Sequence, residues 1–250
     1  MIIPVYKPLG ASSHQLAAKI GLARGEKATH TGTLDPLAEG VLVVLTGEDR
    51  FKKVELSNTQ KTYVFEIVFG LTTDTHDLLG LPTGIRKSQL ELQNIETALK
   101  VALPGFLGKS QQLQPNFSAG RHNGKSFFEL AKKNQNTFPK IKNSITIYSL
   151  TLVESSLISR KKLLEKHVER VSLVTGDFRQ KEILAAWQRI AKQLPAMLPL
   201  FHLEATVSKR TYIRALVRDL SQTLTIPATT FSIVRLKNGA YSTEDCTPQT

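Results

Sequence analysis

The sequence predicts an α+β domain built on a large mixed sheet. Three observations carry that prediction. Stretches rich in β-branched and aromatic residues recur along the chain, as in "VLVVL" and "KTYVFEIVFG", and such residues favour strands because they pack well on a pleated surface. Between them lie stretches whose apolar residues fall three and four apart, the spacing that places them on one helix face. Neither an internal repeat nor a low-complexity linker interrupts the 250 residues, so the elements are expected to share one core in a single domain of adequate length.

Each element follows in order. A short strand and the loop "KPLGASS" lead to a helix from about Ser13 to Ala23, where Ser12 or Ser13 can accept from free backbone amides and Leu16 and Ile20 form the apolar stripe. "HTGTLDPLAEG" then runs into the buried strand "VLVVL". In "KTYVFEIVFG", Tyr63, Phe65, Ile67 and Phe69 share one face of a strand. "LTTDTHDLLGLPTG" reads as a polar, Gly-ended loop. A helix follows, with Ser88 and Glu91 at capping-box spacing, Leu92, Ile95 and Leu99 on one face, and a stop at Pro104-Gly105. Residues 108 to 134 are turn-rich, amide-rich and basic, with a short helix expected near Phe127 to Lys133, before a strand around Ile145 to Glu154. From about 155 to 200 the texture changes to a basic run and a helix at 177–194. There Asp177 and Gln180 match a second capping box, and Trp187 reads as a core residue in preference to a base-stacking platform. The strand "FHLEATVS", the helix "RTYIRALVRDLSQTL" and the strand "FSIVRLKNGAYS" close the fold.

Composition narrows the partner. The 33 Lys and Arg exceed the 21 Asp and Glu by 12, and their spread in short groups predicts a folded basic surface that attracts polyanions, nucleic acid first. Cys246 is alone, which rules out an intrachain disulfide or a Cys-based zinc site. Pro4, Lys7 and Pro8 break any signal-peptide core, and no apolar run approaches the ~20 residues of a membrane span. A cytoplasmic protein without a membrane is therefore expected. No phosphate-cradling G-x-x-x-x-G-K-[ST] loop or dinucleotide G-x-G-x-x-G motif indicates a nucleotide cofactor. Asp74, His76 and Asp77 fit a solvated turn better than a metal site, and Ser118 with His122 lacks the setting of a serine hydrolase.

Asp35 raises the functional question. Asp before Pro is a common turn starter, yet a turn alone explains neither His30 and Thr31 upstream nor the buried strand downstream. A carboxylate fixed by Pro36 at the mouth of a sheet is placed to act as nucleophile or base. To stay ionised in a partly dry pocket it needs a cation nearby, and Arg214 is the candidate.

"KPLGASS", "HTGTLDPLAEGVLVVLTGE", "KTYVFEIVFGLTTDTHDLLG", "PNFSAGRHNGKSFFELAKK" and "VSKRTYIRALVRDL" occur here in one order, and together they resemble the bacterial tRNA pseudouridine-55 synthases of the TruB family. The resemblance spans most of residues 3 to 154 and 202 to 243. It implies the pseudouridine synthase fold, a mostly antiparallel mixed sheet, and isomerisation of uridine 55 in the tRNA T-loop without cofactor or metal. It assigns Asp35 as the catalytic aspartate, Tyr63 as the tyrosine stacked on the target base, and Arg214 as the partner of the aspartate. Tyr212 falls in the same pocket-forming motif, and His30 matches the residue that fills the place of the flipped nucleotide. Thr31 and Gly32 complete the substrate-facing loop, while Lys7 and Pro8 match the motif that supports it. Segment 108–134 corresponds to an RNA-gripping thumb, with Arg121, Lys125, Lys132 and Lys133 as phosphate contacts.

The chemistry suits these roles. Turning uridine into its C-glycoside requires the base to be extruded, detached and held, and an aspartate can act on sugar or base while an aromatic ring holds the base face. The sequence departs from the family pattern at Thr29 for a Gly, Phe128 for a Tyr and Val234 for an Arg. The segment 155–200 reads as an insertion, and too few residues follow the last strand for a C-terminal PUA domain. A monomer binding tRNA is expected. The alternatives are an RNA-binding or RNA-folding module with reduced catalysis, and a synthase acting on another RNA.

Overall fold

The computed structural model describes residues 1–118 and 140–247, together with the backbone of 121–122 and 125–126. In chain order its strands are β1 (Ile2–Lys7), β2 (Ala28–His30), β3 (Ala38–Thr46), β4 (Lys61–Phe69), β5 (Leu71–Thr73), β6 (Pro82–Ile85), β7 (Gly108–Leu113), β8 (Arg121–His122), β9 (Lys125–Ser126), β10 (Lys142–Ser159), β11 (Met197–Val207), β12 (Ala228–Asn238) and β13 (Tyr241–Ser242). The described helices are α1 (Ser13–Ala23), α2 (Lys53–Ser57), α3 (Leu92–Ala102), α4 (Arg160–Ser172), α5 (Gln180–Ile190) and α6 (Ile213–Leu224).

One large sheet runs in the order β1-β3-β12-β4-β11-β10-β7, with β2 beside β3 and β13 beside β12. Its pairings are antiparallel except for β3 with β12, which makes it the mixed, mostly antiparallel sheet of the expected α+β class. The parallel pair sets Gly40 opposite Arg235. Gly40 has φ +106°, and a Cβ there would lie 2.2 Å from the Arg235 carbonyl oxygen, so only glycine lets the two strands approach this closely.

Both faces of the sheet are covered. Tyr63, Phe65, Ile67 and Phe69 of β4 point together, as their period of two predicts, and pack with Leu203 of β11, Leu99 of α3 and Leu216 of α6. On the opposite face Val68 and Leu198 pack with Leu163 and Val171 of α4 and with Ile183 and Trp187 of α5. The segment 155–200 therefore contributes a helical layer, and Trp187 is a core residue. Its indole nitrogen donates to the Gly80 carbonyl at 2.9 Å and its ring stacks on His167 with centroids 3.9 Å apart.

Several boundaries differ from expectation for local reasons. Ser12 caps α1 by accepting from the Gln15 amide, but Ser88 and Glu91 form no capping box. Leu90 enters the core and Glu91 is still extended, so α3 begins only at Leu92. The second box is also absent. Gln180 instead accepts from the Phe178 amide and donates to the carbonyls of Val174 and Gly176, so the helix starts at Gln180 and not at 177, and it runs to Ile190 with a 3-10 turn continuing over Ala191–Gln193. The strand expected around 145–154 extends over Lys142–Ser159 because β7 and β11 pair with it at successive stretches. The loop read as solvated is a β5–β6 hairpin folded onto the sheet, with Thr73, Thr75 and Asp77 buried. The helix expected at 127–133 lies outside the described residues.

Candidate active site

Asp35 sits in the turn between β2 and β3, where its carbonyl accepts from the Ala38 amide at 3.0 Å. Three supports fix this turn. The Pro36 carbonyl accepts from the Gly10 amide at 2.9 Å and from Lys7 Nζ at 3.4 Å. Lys7 is fully buried, and its ammonium also donates to the carbonyls of Pro8 at 3.0 Å and Ala11 at 2.8 Å. Burial lowers its pKa to about 8 despite the Asp35 and Glu39 carboxylates. The Ser13 hydroxyl donates to the Leu34 carbonyl and accepts from the Leu34 amide.

Arg214 reaches Asp35 from the first turn of α6. The strong apolar face of that helix anchors it to the sheet, and Gln112 exchanges hydrogen bonds with the backbone amide and carbonyl of Tyr212 just before it. Arg214 Nε and Nη2 each donate to one Asp35 oxygen at 2.8 Å, a bidentate fork. The remaining donors go to backbone, Nη1 to the Thr75 carbonyl at 2.8 Å and Nη2 to the Phe117 carbonyl at 2.9 Å. The Arg214 side chain is 2% exposed while that of Asp35 is 28% exposed, so the cation is interior and the carboxylate remains reachable. Burial opposes the charge of Arg214, but the carboxylates of Asp35 and Asp77 more than offset it and hold its pKa above the ordinary value. Asp77, 3.5 Å from Arg214 Nε, has its pKa raised by burial, against the opposing effects of Arg214 and the Thr75 hydroxyl.

Asp35 forms part of the wall of two large cavities. The larger, about 510 Å³, is also lined by Tyr63, Tyr212, Gly32, Lys53, Lys61 and Arg210. The second, about 420 Å³, is lined by His30, Phe117, Phe178, Thr75 and Arg214. Tyr63 is nearly buried, and its hydroxyl accepts from Arg235 Nη1 at 3.4 Å. Arg235, also buried, donates further to the carbonyls of Val41 and Gly32, tying the loop after β2 to β3. Thr31 is buried and its hydroxyl accepts from the Asn238 side chain at 3.0 Å. His30 is largely buried. Burial, with Lys53, Arg235 and His14 adding to it, lowers its pKa to about 4, so the imidazole is neutral. Burial raises the pKa of Tyr212, and the Asp35 carboxylate raises it further.

Asp35, Arg214, Tyr63, Tyr212, His30, Thr31, Gly32 and Lys7 thus converge on one place, with Pro8 contributing a carbonyl to the Lys7 cage. Arg121 and Lys125 are placed only through the short β8–β9 pair, and Lys132 and Lys133 lie outside the described residues. Asp77 and Arg235 are among the residues that sequence reasoning misses: the first reads as part of a solvated turn, and the second goes unremarked beside Val234. The period of two in β12 carried a signal for the latter, because it puts Arg235 on the same inward face as Ile233. Lys53, Lys61, Lys209 and Arg210 all line the larger cavity, an environment suited to a phosphate-bearing ligand. Burial, then Arg235 and Lys209, lowers the Lys61 pKa to about 8.

Residues 20–170 match the family pattern described as the TruB family pseudouridylate synthase N-terminal domain. The tRNA pseudouridine synthase B of Clostridium novyi is 30% identical over 245 residues, covering 98% of this chain and 69% of that protein. That of Oenococcus oeni is 30% identical over 250 residues, covering 98% and 70%, and that of Listeria monocytogenes serovar 1/2a is 31% identical over 247 residues, covering 98% and 68%. Among solved structures, a chain of a Cbf5-Nop10-Gar1 complex superposes with a TM-score of 0.57 at 19% identity, over 96% of this chain and 49% of that one. A chain of an H/ACA RNP bound to a substrate RNA containing 2′-deoxyuridine gives 0.55 at 18%, over 96% and 48%. These two share the fold, and this chain spans about half the length of each.

Proposed function

The chain belongs to the TruB family of pseudouridylate synthases and is a tRNA pseudouridine synthase, and from that premise we propose that it isomerises uridine 55 in the T-loop of tRNA. The reaction breaks the C1′–N1 bond, turns the uracil and joins C1′ to C5. The C5 hydrogen leaves as a proton and N1 acquires one, so no net redox change occurs and no cofactor is needed. Asp35 supplies the anionic oxygen, either as a nucleophile or as a base toward the sugar. Arg214 fixes the plane of that carboxylate, and Tyr63 holds the detached base and takes part in proton movement at C5. His30, Thr31 and Gly32 present the loop that fills the place of the extruded nucleotide. Tyr212 closes the pocket, and Lys7 and Pro8 support the Asp35 turn from behind.

The observation that carries this reading is the bidentate Asp35–Arg214 pair in a wall shared by two cavities, with the Tyr63 ring in the larger one. A pure binding module has no need for a buried arginine spent on orienting one half-exposed carboxylate. The RNA itself is gripped electrostatically, through Arg121, Lys125, Lys132 and Lys133 of the thumb at 108–134. Segment 155–200 is an insertion in an otherwise compact catalytic domain. We propose a monomer, and a tRNA substrate with a lone Cys246 suits the cytoplasm.

The test is tritium release from C5-labelled uridine in an unmodified tRNA transcript, beside the Asp35→Asn protein and a transcript lacking uridine 55. Release that needs both Asp35 and that uridine is expected. Full release by Asp35→Asn would remove the catalytic assignment. Tight tRNA binding without release by the wild type would leave an RNA-binding module, and release independent of uridine 55 would point to another target.

A further inference from the structure

The residues that hold Arg214 are themselves gripped by a residue from the segment between β10 and β11. Two of the Arg214 hydrogen bonds end on the carbonyls of Thr75 and Phe117, which belong to separate parts of the chain. Arg179 touches both parts. Its Nη1 pairs with Asp74 Oδ2 at 2.9 Å, one residue before Thr75, while Asp74 Oδ1 accepts from the Leu81 amide across the hairpin turn. Its guanidinium also lies over the Phe117 ring, 4.5 Å from the centroid, within cation–π distance. The Arg179 side chain is 12% exposed, and its buried Nε makes no hydrogen bond.

The backbone around Arg179 is shaped for this placement. Arg179 adopts φ +66°, a left-handed conformation that a non-glycine residue holds only where its surroundings impose it. The same connection is seated at its other end, where the Thr175 amide and hydroxyl donate to the Gly10 carbonyl at 3.1 and 3.2 Å. Gly10 in turn donates its amide to the Pro36 carbonyl beside Asp35. Both members of the catalytic pair are thus braced from the α4–α5 connection.

We infer that Arg179 is a positioning residue for pseudouridine formation, clamping the Asp74–Thr75 turn and Phe117 so that their carbonyls hold the Arg214 fork square to Asp35. The inference rests on the catalytic roles proposed above for Asp35 and Arg214. Arg179 contacts Arg214 only through these intermediaries, so its loss tilts the guanidinium without removing a group from the reaction. A misplacement of about 1 Å at a reacting group can cost on the order of 100-fold in rate.

The experiment compares Arg179→Met, Arg179→Lys and Phe117→Leu with wild type by single-turnover tritium release, tRNA affinity and thermal unfolding. Arg189→Met, an exposed arginine on the same α5, serves as control. Arg179→Met is expected to slow the single-turnover rate about 10- to 100-fold with tRNA Kd changed less than about twofold. Arg179→Lys should recover part of that rate, because lysine keeps the Asp74 pair but not the planar ring contact. The Arg179→Met/Phe117→Leu double variant should lose less, in rate and in unfolding temperature, than the sum of the singles. A wild-type rate in Arg179→Met, a loss confined to Kd, or an equal loss in Arg189→Met would overturn the inference. The unfolding cycle needs no activity, so strict additivity there refutes the clamp by itself. Absence of release in the wild type would instead refute the catalytic reading of the site.

Discussion

Replacing Arg214 by lysine keeps the charge and removes the fork, which makes it the sharpest perturbation of the site. Arg214 makes four hydrogen bonds from three nitrogens, two to Asp35 and two to carbonyls on its other edge. A lysine ammonium presents its donors from a single atom, so it cannot reach both Asp35 oxygens and the Thr75 and Phe117 carbonyls together. Hydrogen bonds to charged groups contribute about 1.5–3 kcal/mol each, and breaking a buried ion pair costs about 3–5 kcal/mol. Asp77 relieves some of this. Its pKa is already raised by burial, and with weaker compensation from residue 214 it takes up a proton more readily. A net loss of about 3 kcal/mol follows, or roughly 6–12 °C of melting temperature at 2–4 °C per kcal/mol. The rate suffers separately. Losing one of the two bonds that orient Asp35, about 2 kcal/mol, corresponds to about 30-fold. Thermal unfolding and single-turnover tritium release on the Arg214→Lys protein read the two effects. A melting temperature and a rate both equal to wild type would show that the planar fork is not what holds Asp35, and the assignment of Arg214 would fall with it.

Two further outcomes are expected. Lys125→Ala and Lys132→Ala should weaken tRNA binding and reduce the slope of log affinity against log salt by about 1 each, and unchanged slopes in salt titrations would remove the thumb assignment. Acid should destabilise the fold through buried histidines. His167 is 1% exposed, and burial lowers its pKa to about 4 against an ordinary 6.5. The unfolded chain therefore binds the extra proton first, and this stability is full above pH 6.5, declines as pH falls, and is gone below about 4. The gap is worth about 3 kcal/mol, so denaturant unfolding of His167→Gln between pH 4 and 6.5 should show a shallower pH dependence, by roughly 1 kcal/mol per pH unit. A slope identical to wild type would place the acid sensitivity elsewhere.

The parts of this fold that local pattern dictates are the parts a linear reading reaches. The inward face of β4 and the apolar stripe of α6 follow from periods of two and of about 3.6, and both deliver site residues, Tyr63 and Arg214. Asp35 was legible through an imbalance, a turn with more polar equipment than a turn requires. What escaped depends on distant chain. Asp77 looks like loop chemistry until the β5–β6 hairpin is laid on the sheet and Arg214 arrives from 137 positions later (214 − 77) to face it. The expected capping boxes failed for a related reason, since Leu90 gains more from entering the core than Ser88 gains from capping. Arg179 could not be read at all. Nothing near it in sequence announces a left-handed arginine or names Phe117 and Asp74 as its partners.

The opposition between Asp35 as a turn residue and Asp35 as a reacting group dissolves in the geometry. A carboxylate has about four lone-pair sites, and Arg214 occupies one on each oxygen. The other sites remain available on a side chain 28% exposed, in a wall that two cavities share. The turn supplies the direction. Lys7, Gly10 and Ser13 hold its backbone, and Pro36 restricts the conformations open to Asp35 itself, so the lone pairs that Arg214 leaves free have few other ways to point. A side chain that served only the turn would satisfy its oxygens on nearby backbone amides. This one places them on a buried arginine 179 positions away, the arrangement expected of a carboxylate whose remaining lone pairs are left to meet a ligand.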